Sequence, residues 1–242
     1  MERRRNQNIQ IRLEEVSYIE AGKTILNNIS LTIEKHKTYL LVGKNGSGKS
    51  TLLKVLAGII RPYSGKIYLN GSEVTDPWQL REKTGIVFQN PLTQIIGATV
   101  EEDIAFGLEN IGMDPEDMEK RIEETLKIVG MESLRDKDPV ELSGGLLQRL
   151  AIASIIVLKP EIFLLDEPLS MLDKKAKKDI SDLLRTFHRK KTMVIATHEY
   201  NYFPFADEVI YMEEGQAHIE DLCEFLKNLS KNFPMIKLSC PQ

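Results

Sequence analysis

Residues Gly43-Lys44-Asn45-Gly46-Ser47-Gly48-Lys49-Ser50 place glycines, a lysine and a hydroxyl at the spacing G-x-x-x-x-G-K-[ST]. Glycines let a backbone turn tightly and aim its N–H groups at phosphate oxygens. Lys49 is expected to reach β- and γ-phosphates, and Ser50 to ligate Mg2+. Asn45, Gly46, Ser47, Gly48 and Thr51 complete the expected phosphate contacts. A second acidic feature, Asp166-Glu167, follows the apolar run Ile162-Phe163-Leu164-Leu165. Adjacent strand residues point to opposite faces, so these carboxylates are expected to do different jobs. Asp166 suits Mg2+, through water, and Glu167 suits a general base that orients attacking water. His198 follows another apolar run, Thr192-Met193-Val194-Ile195-Ala196-Thr197, and is expected to touch a γ-phosphate and steady the water. Gln89, after Gly85-Ile86-Val87-Phe88, is expected to touch Mg2+ or the water. The chemistry these residues suit together is hydrolysis of a nucleoside triphosphate.

Leu142-Ser143-Gly144-Gly145 does not fit that single site. A serine hydroxyl and backbone N–H groups at a helix start suit a γ-phosphate. The chain's own nucleotide has no need of them. They are expected to cap a nucleotide held by a second, facing subunit, which makes the working unit a dimer.

The elements that must position these groups read as α/β. Residues 38–42 are a short apolar run before the glycine loop, and residues 50–56 have helical spacing after it. Such open parallel sheets place ligands at the carboxyl ends of their strands. Residues 9–18, 29–33 and 67–69 read as strands of a small β layer. From 89 to 158 the pattern turns helical, with helices expected over 100–110 and 118–129, Gly130 as a C-cap and Ser143 as an N-cap. Strand–helix alternation then returns, with helices expected over 173–188 and 221–229 and a strand over 208–212. The expected division is a P-loop ATPase core from 1–88 and 159–242, and a helical subdomain from 89–158.

Taken in order, these motifs resemble the nucleotide-binding domain of ABC transporters over nearly the whole chain. The resemblance implies Walker A at Gly43 to Ser50, a Q-loop at Gln89, the signature at Ser143, Gly144 and Gly145, and Walker B ending at Asp166. It implies Glu167 as catalytic base, a D-loop ending at Asp173 and a switch histidine at His198. The stretch from Phe88 to Gln94 and then Gly97 to Asn110 is similar to ATPase subunits of energy-coupling factor importers of vitamins, cobalt or nickel. That likeness implies ATP and Mg2+, a second ATPase subunit, identical or not, an integral membrane coupling subunit, and a small membrane subunit that binds solute. It also implies the cytoplasmic face of the membrane, with coupling helices received near Gln89 to Gln94. Two positions depart from the family. The signature continues with Leu146 where the family has Gln, and the adenine-stacking position is Glu20, with Tyr18 expected to pack inside.

Bulk composition narrows the field. The 242 residues carry 42% hydrophobic and 28% charged side chains, as soluble globular chains do. A net charge of −4 weakly opposes a general grip on nucleic acid, and none is expected as a partner. The longest apolar run is far too short to span a bilayer. Arg3-Arg4-Arg5 reads as a solvated tail, and Lys174, Lys175, Lys177 and Lys178 as a solvated helix face. Cys223 and Cys240 show no metal spacing, and His36, His188 and His218 read as structural. Three alternatives stand beside the importer reading: another ABC transporter motor, a soluble ABC ATPase acting on DNA or ribosomes, and a P-loop nucleotide kinase. The second usually needs a long coiled-coil insertion or two ATPase domains. The third has no use for Ser143 to Gly145.

Overall fold

The computed structural model describes residues 8–232. Arg3 to Arg5 and Cys240 lie outside them. Two sheets carry the fold. The larger has strands β3 (Thr38–Gly43), β6 (Thr84–Val87), β7 (Ile162–Asp166), β8 (Thr192–Ala196), β9 (Glu208–Glu213) and β10 (Gln216–Asp221) in the order β10-β9-β3-β8-β7-β6. Strands β9, β3, β8, β7 and β6 run parallel, and β10 closes one edge antiparallel. Every residue of β7 and β8 is buried, which is why these strands read as unbroken apolar runs rather than alternating ones. The smaller sheet is antiparallel, in the order β2 (Lys23–Glu34), β1 (Ile9–Glu20), β4 (Ser64–Leu69), β5 (Ser72–Glu73).

The pleat of the large sheet divides the interior. Leu40, Val42, Phe163, Leu165, Met193 and Ile195 face one core, shared with helices α3 (Val100–Asn110), α4 (Pro115–Val129) and α5 (Gly144–Ile156). Tyr39, Leu41, Ile162, Leu164, Val194 and Ala196 face the other, shared with α1 (Lys49–Leu56) and the small sheet. The short helix α2 (Trp78–Arg81) adds Leu80 to this second core. Tyr18 is half-buried against the second core, as expected. Helix α6 (Lys174–Arg185) packs on α5, and α7 (Leu222–Asn232) follows β10.

Local signals explain the helix ends. Thr99 caps α3 by accepting from the Glu102 N–H, and Asp114 caps α4 by accepting from the Glu116 N–H. Gly130 ends α4 at φ 66°, a left-handed value that glycine adopts without strain. Its neighbour Val129 has its carbonyl capped by Arg149 Nη1 at 2.7 Å. Arg149 also pairs with Asp179 at 3.3 Å and so ties α4, α5 and α6 together.

Three expectations change. Ser143 occupies the N-cap position of α5, but its hydroxyl makes no cap hydrogen bond and is exposed. Edge strands β5 and β10 escape sequence reading because they are short, largely polar and exposed. The lysine face of α6 is not wholly solvated: Lys177 is half-buried and pairs with Glu199. The three other histidines sit in local contacts. His36 N donates to Thr192 Oγ1, His188 Nδ1 is 3.1 Å from Thr38 Oγ1, and His218 Nε2 is 2.6 Å from Glu220 Oε1.

Candidate active site at the carboxyl ends of four strands

The loops after β3, β6, β7 and β8 open at the same edge of the sheet. Together they line a cleft of about 610 Å3 with Asn45, Gly46, Gly48, Lys49, Ser50, Thr51, Gln89, Asp166, Glu167 and His198. That volume is within the range of small-ligand pockets. Gln89, Asp166 and His198 are far apart in the chain, and the parallel strand order brings them to one cleft.

The phosphate loop depends on two glycines. Gly48 has φ 102°, and a Cβ there would lie 2.9 Å from Leu26 Cδ2 and 3.0 Å from the Ile25 carbonyl. Gly43 has φ 151°, and its Cβ would lie 2.2 Å from the Met212 carbonyl. Neither position tolerates a side chain. The loop thereby leads straight into α1, whose first residue is Lys49 rather than Ser50. Lys49 Nζ donates to the Gly43 carbonyl at 2.8 Å and the Lys44 carbonyl at 3.3 Å. Burial pushes the Lys49 ammonium below its usual pKa, and Glu167 and Asp166 act against that shift. Ser47 Oγ is buried inside the loop with no hydrogen-bond partner.

Glu167 overturns one expectation. Simple pleating would send it to the face opposite Asp166, yet both line the cleft. The strand ends at Asp166, and Glu167 takes φ 49°, which turns its side chain back. Its N–H donates to the Ala196 carbonyl at 2.8 Å, which pins the turn to β8. Left-handed backbone at a non-glycine residue is costly and concentrates at functional sites. Burial raises the Glu167 pKa above the usual carboxylate range, while His198 and Lys49 oppose that rise. His198 Nε2 lies 3.3 Å from Glu167 Oε1 and 3.1 Å from Asn45 Oδ1. The imidazole therefore bridges Glu167 and the loop after β3.

Ser143, Gly144 and Gly145 do not line this cleft. Ser143 and Gly144 are exposed at the start of α5. A Cβ on Gly145 would lie 2.8 Å from Ala176 Cβ, so this glycine is needed for α5 to approach α6. Asp173 also stays outside the cleft. Its Oδ1 accepts from the Lys175 and Ala176 N–H groups, both at 2.9 Å, and so caps α6. Before it, Met171 is fully exposed with φ 61°. Sequence reading missed Ser170, Lys23 and Ile25 as cleft residues. Only the hairpin position of β1 and β2 brings the last two there.

The sequence matches the ABC transporter family over residues 26–170. The chain belongs to the ABC transporter family. Within it, this ATPase is 45% identical over 208 residues to the energy-coupling factor transporter ATP-binding protein EcfA1 of Thermotoga maritima, covering 86% of this chain and 80% of that one. It is 42% identical over 217 residues to the EcfA1 of Ligilactobacillus salivarius, covering 87% and 77%. Among solved structures it is similar to CbiO1 of Clostridium perfringens, part of the ABC transporter complex CbiONQ. That match has a TM-score of 0.83 at 32% identity, over 94% of this chain and 96% of the other. A dimeric ATP-binding cassette in a post-hydrolysis state, bound to ADP and Pi, superposes with a TM-score of 0.77 at 31% identity, over 88% and 98%. This ABC ATPase has, among its described residues, no helix long and apolar enough to cross a membrane.

Proposed function

We propose that this ABC ATPase is the motor of an energy-coupling factor importer, and that it drives uptake of a vitamin or a transition-metal ion. The observation that carries the reading is the split just described: hydrolytic side chains converge on one cleft, while Ser143 and Gly144 stand exposed outside it. Two ATPase subunits face each other head to tail. Each nucleotide then lies between the phosphate loop of one and the start of α5 of the other. ATP binds the closed pair better than the open one and shifts the population to closure.

In each site Lys49 holds the β- and γ-phosphates, with the loop N–H groups from Asn45 to Thr51 around them. Ser50, Asp166 and Gln89 offer only hard oxygen donors, which fits Mg2+ held partly by phosphate oxygens and water. When bound, Mg2+ neutralises charge on the phosphates. Glu167 accepts the proton of the attacking water as its oxygen bonds to the γ-phosphorus and ADP leaves. His198 holds Glu167 in place and faces the γ-phosphate. Loss of that phosphate removes the bridge and opens the dimer.

The helical segment 89–158 acts as the subdomain that passes this motion on, and 1–88 with 159–242 as the ATPase core. Between them runs an apolar groove of about 540 Å3 with Trp78, Ile96, Phe106 and Ile111 on its rim. All four are exposed. A groove of this character takes helices of an integral coupling subunit, which a small membrane subunit supplies with solute. The chain works at the cytoplasmic face of the membrane. Affinity capture of the tagged chain from gently solubilised membranes, read by mass spectrometry, tests this. The expected result is a second ATPase, one larger membrane protein and one or more small ones. Recovery with ribosomes or nucleic acid alone would overturn the transport assignment.

A further inference from the structure

The cleft has two ends of different chemistry. One is the phosphate loop with its acidic and imidazole neighbours. The other is built by the β1–β2 hairpin, which contributes Glu20, Lys23 and Ile25. The hairpin is anchored to the loop itself: the Ile25 carbonyl and Leu26 side chain stand against Gly48. From Ile25 the strand runs to Lys23, about 7 Å further on. Lys23 is paired across the turn with Glu20. A nucleotide whose phosphates sit in the loop therefore brings its base to Glu20 and Lys23, with the ribose spanning the strand between.

No Phe, Tyr or Trp is among the residues that line this cleft, and its one ring, the His198 imidazole, stands at the phosphate end. The base end holds a carboxylate and an ammonium instead. Both side chains are exposed, and neither has a hydrogen-bond or ion-pair partner among the described residues. A carboxylate only accepts hydrogen bonds and an ammonium only donates them. The Watson–Crick edge of guanine offers two adjacent N–H donors, N1–H and the 2-amino group, which match both oxygens of a carboxylate. Beside them O6 is an acceptor for an ammonium. Adenine offers its 6-amino donor next to N1, and N1 sets a lone pair against the second carboxylate oxygen. Charge-assisted, two-point pairing is the stronger arrangement.

We propose that Glu20, with Lys23, is a base-selecting residue, and that this ATPase binds GTP at least as tightly as ATP. The inference rests on the nucleotide reading of the cleft and adds the identity of the base. Glu20→Gln replaces one carboxylate oxygen with a donor, which opposes guanine N1–H. It is expected to worsen the ratio of GTP to ATP affinity about tenfold, the worth of one charge-assisted bond. Both side chains are exposed at a turn, so the variants Glu20→Gln and Glu20→Tyr fold.

The test is equilibrium binding of fluorescent ATP, GTP and CTP to the full chain without Mg2+, with competition by unlabelled nucleotides, for wild type and both variants. GTP binding at least as tight as ATP, with Glu20→Gln reversing the order and Glu20→Tyr favouring ATP, is the expected result. ATP binding tighter than GTP in the wild type overturns the inference and leaves the cleft reading intact. An unchanged GTP-to-ATP ratio in both variants does the same. Failure of every nucleotide to bind overturns the cleft reading itself.

Discussion

The cleft and the start of α5 carry the same kind of chemistry in opposite states of completion. In the cleft, His198 is bonded to Asn45 and Glu167, Glu167 to β8, and Lys49 to the loop carbonyls. At the start of α5, Ser143 makes no cap bond, and Ser143 and Gly144 are exposed. Donors left unused at a helix start are costly when buried and useful when a ligand arrives. On the proposed reading, one half of the active site is preassembled within a single chain, and the other half waits for a second. Coupling of hydrolysis to dimer closure would follow from that division, because neither half works without the other.

The largest test of the contrast is Glu167→Gln. Removing the base is expected to slow ATP turnover on the order of 10²–10⁴-fold while the ATP-bound dimer accumulates. Phosphate release and size-exclusion chromatography read the two outcomes. Turnover within a few-fold of wild type would take the base role from Glu167. Ser143→Arg attacks the other half. It is expected to cut turnover by about 10²-fold through loss of a γ-phosphate donor and of dimer closure. Nucleotide affinity of the isolated subunit should hardly move, because Ser143 lies outside that subunit's cleft. Equal loss of both would mean the two halves are not separate.

Lys49→Ala comes next. It removes the only ammonium deep in the loop, and it is expected to weaken ATP binding about 10–100-fold, the worth of one or two charge-assisted bonds. Titration calorimetry of the full chain measures it. Unchanged affinity would contradict the loop assignment.

How far the sequence carried the site depends on where each residue sits. Strands β7 and β8 are fully buried, and β3 is buried up to Gly43, so their apolar runs and the chemical residues at their ends were legible directly. The edge strand β10 is largely polar and mostly exposed, and left no such trace. Glu167 was legible as a residue and not as a geometry. Its left-handed φ comes from the bond to Ala196 on β8, a tertiary constraint that no local pattern announces. Asp173, expected at the end of a D-loop, also carries a local signal. Its position before Lys174-Lys175-Ala176 is an ordinary helix-cap signal, and its carboxylate serves that role within the chain.

That cap gives the smaller of the stability tests. Asp173→Ala leaves the Lys175 and Ala176 N–H groups without their acceptor and is expected to cost about 1 kcal/mol, visible as a lower melting temperature. The last prediction concerns the charge buried at the site. Burial raises the Glu167 pKa in the folded state above its unfolded value. The protonated form is therefore the better tolerated one in the fold. The stabilising contribution of this group is present below the unfolded pKa and is lost as pH rises through the folded pKa. At neutral pH the ionised carboxylate is thus a net burden on the free subunit, and Glu167→Gln should raise its melting temperature at pH 7. The gain should shrink as pH falls toward 4, where the wild-type carboxyl takes up its proton. A variant less stable than wild type at pH 7 would mean that the contacts to His198 and Lys49 outweigh burial. The cleft would then be held together by its charges, and its preassembly would owe less to the packing of β7 against β8.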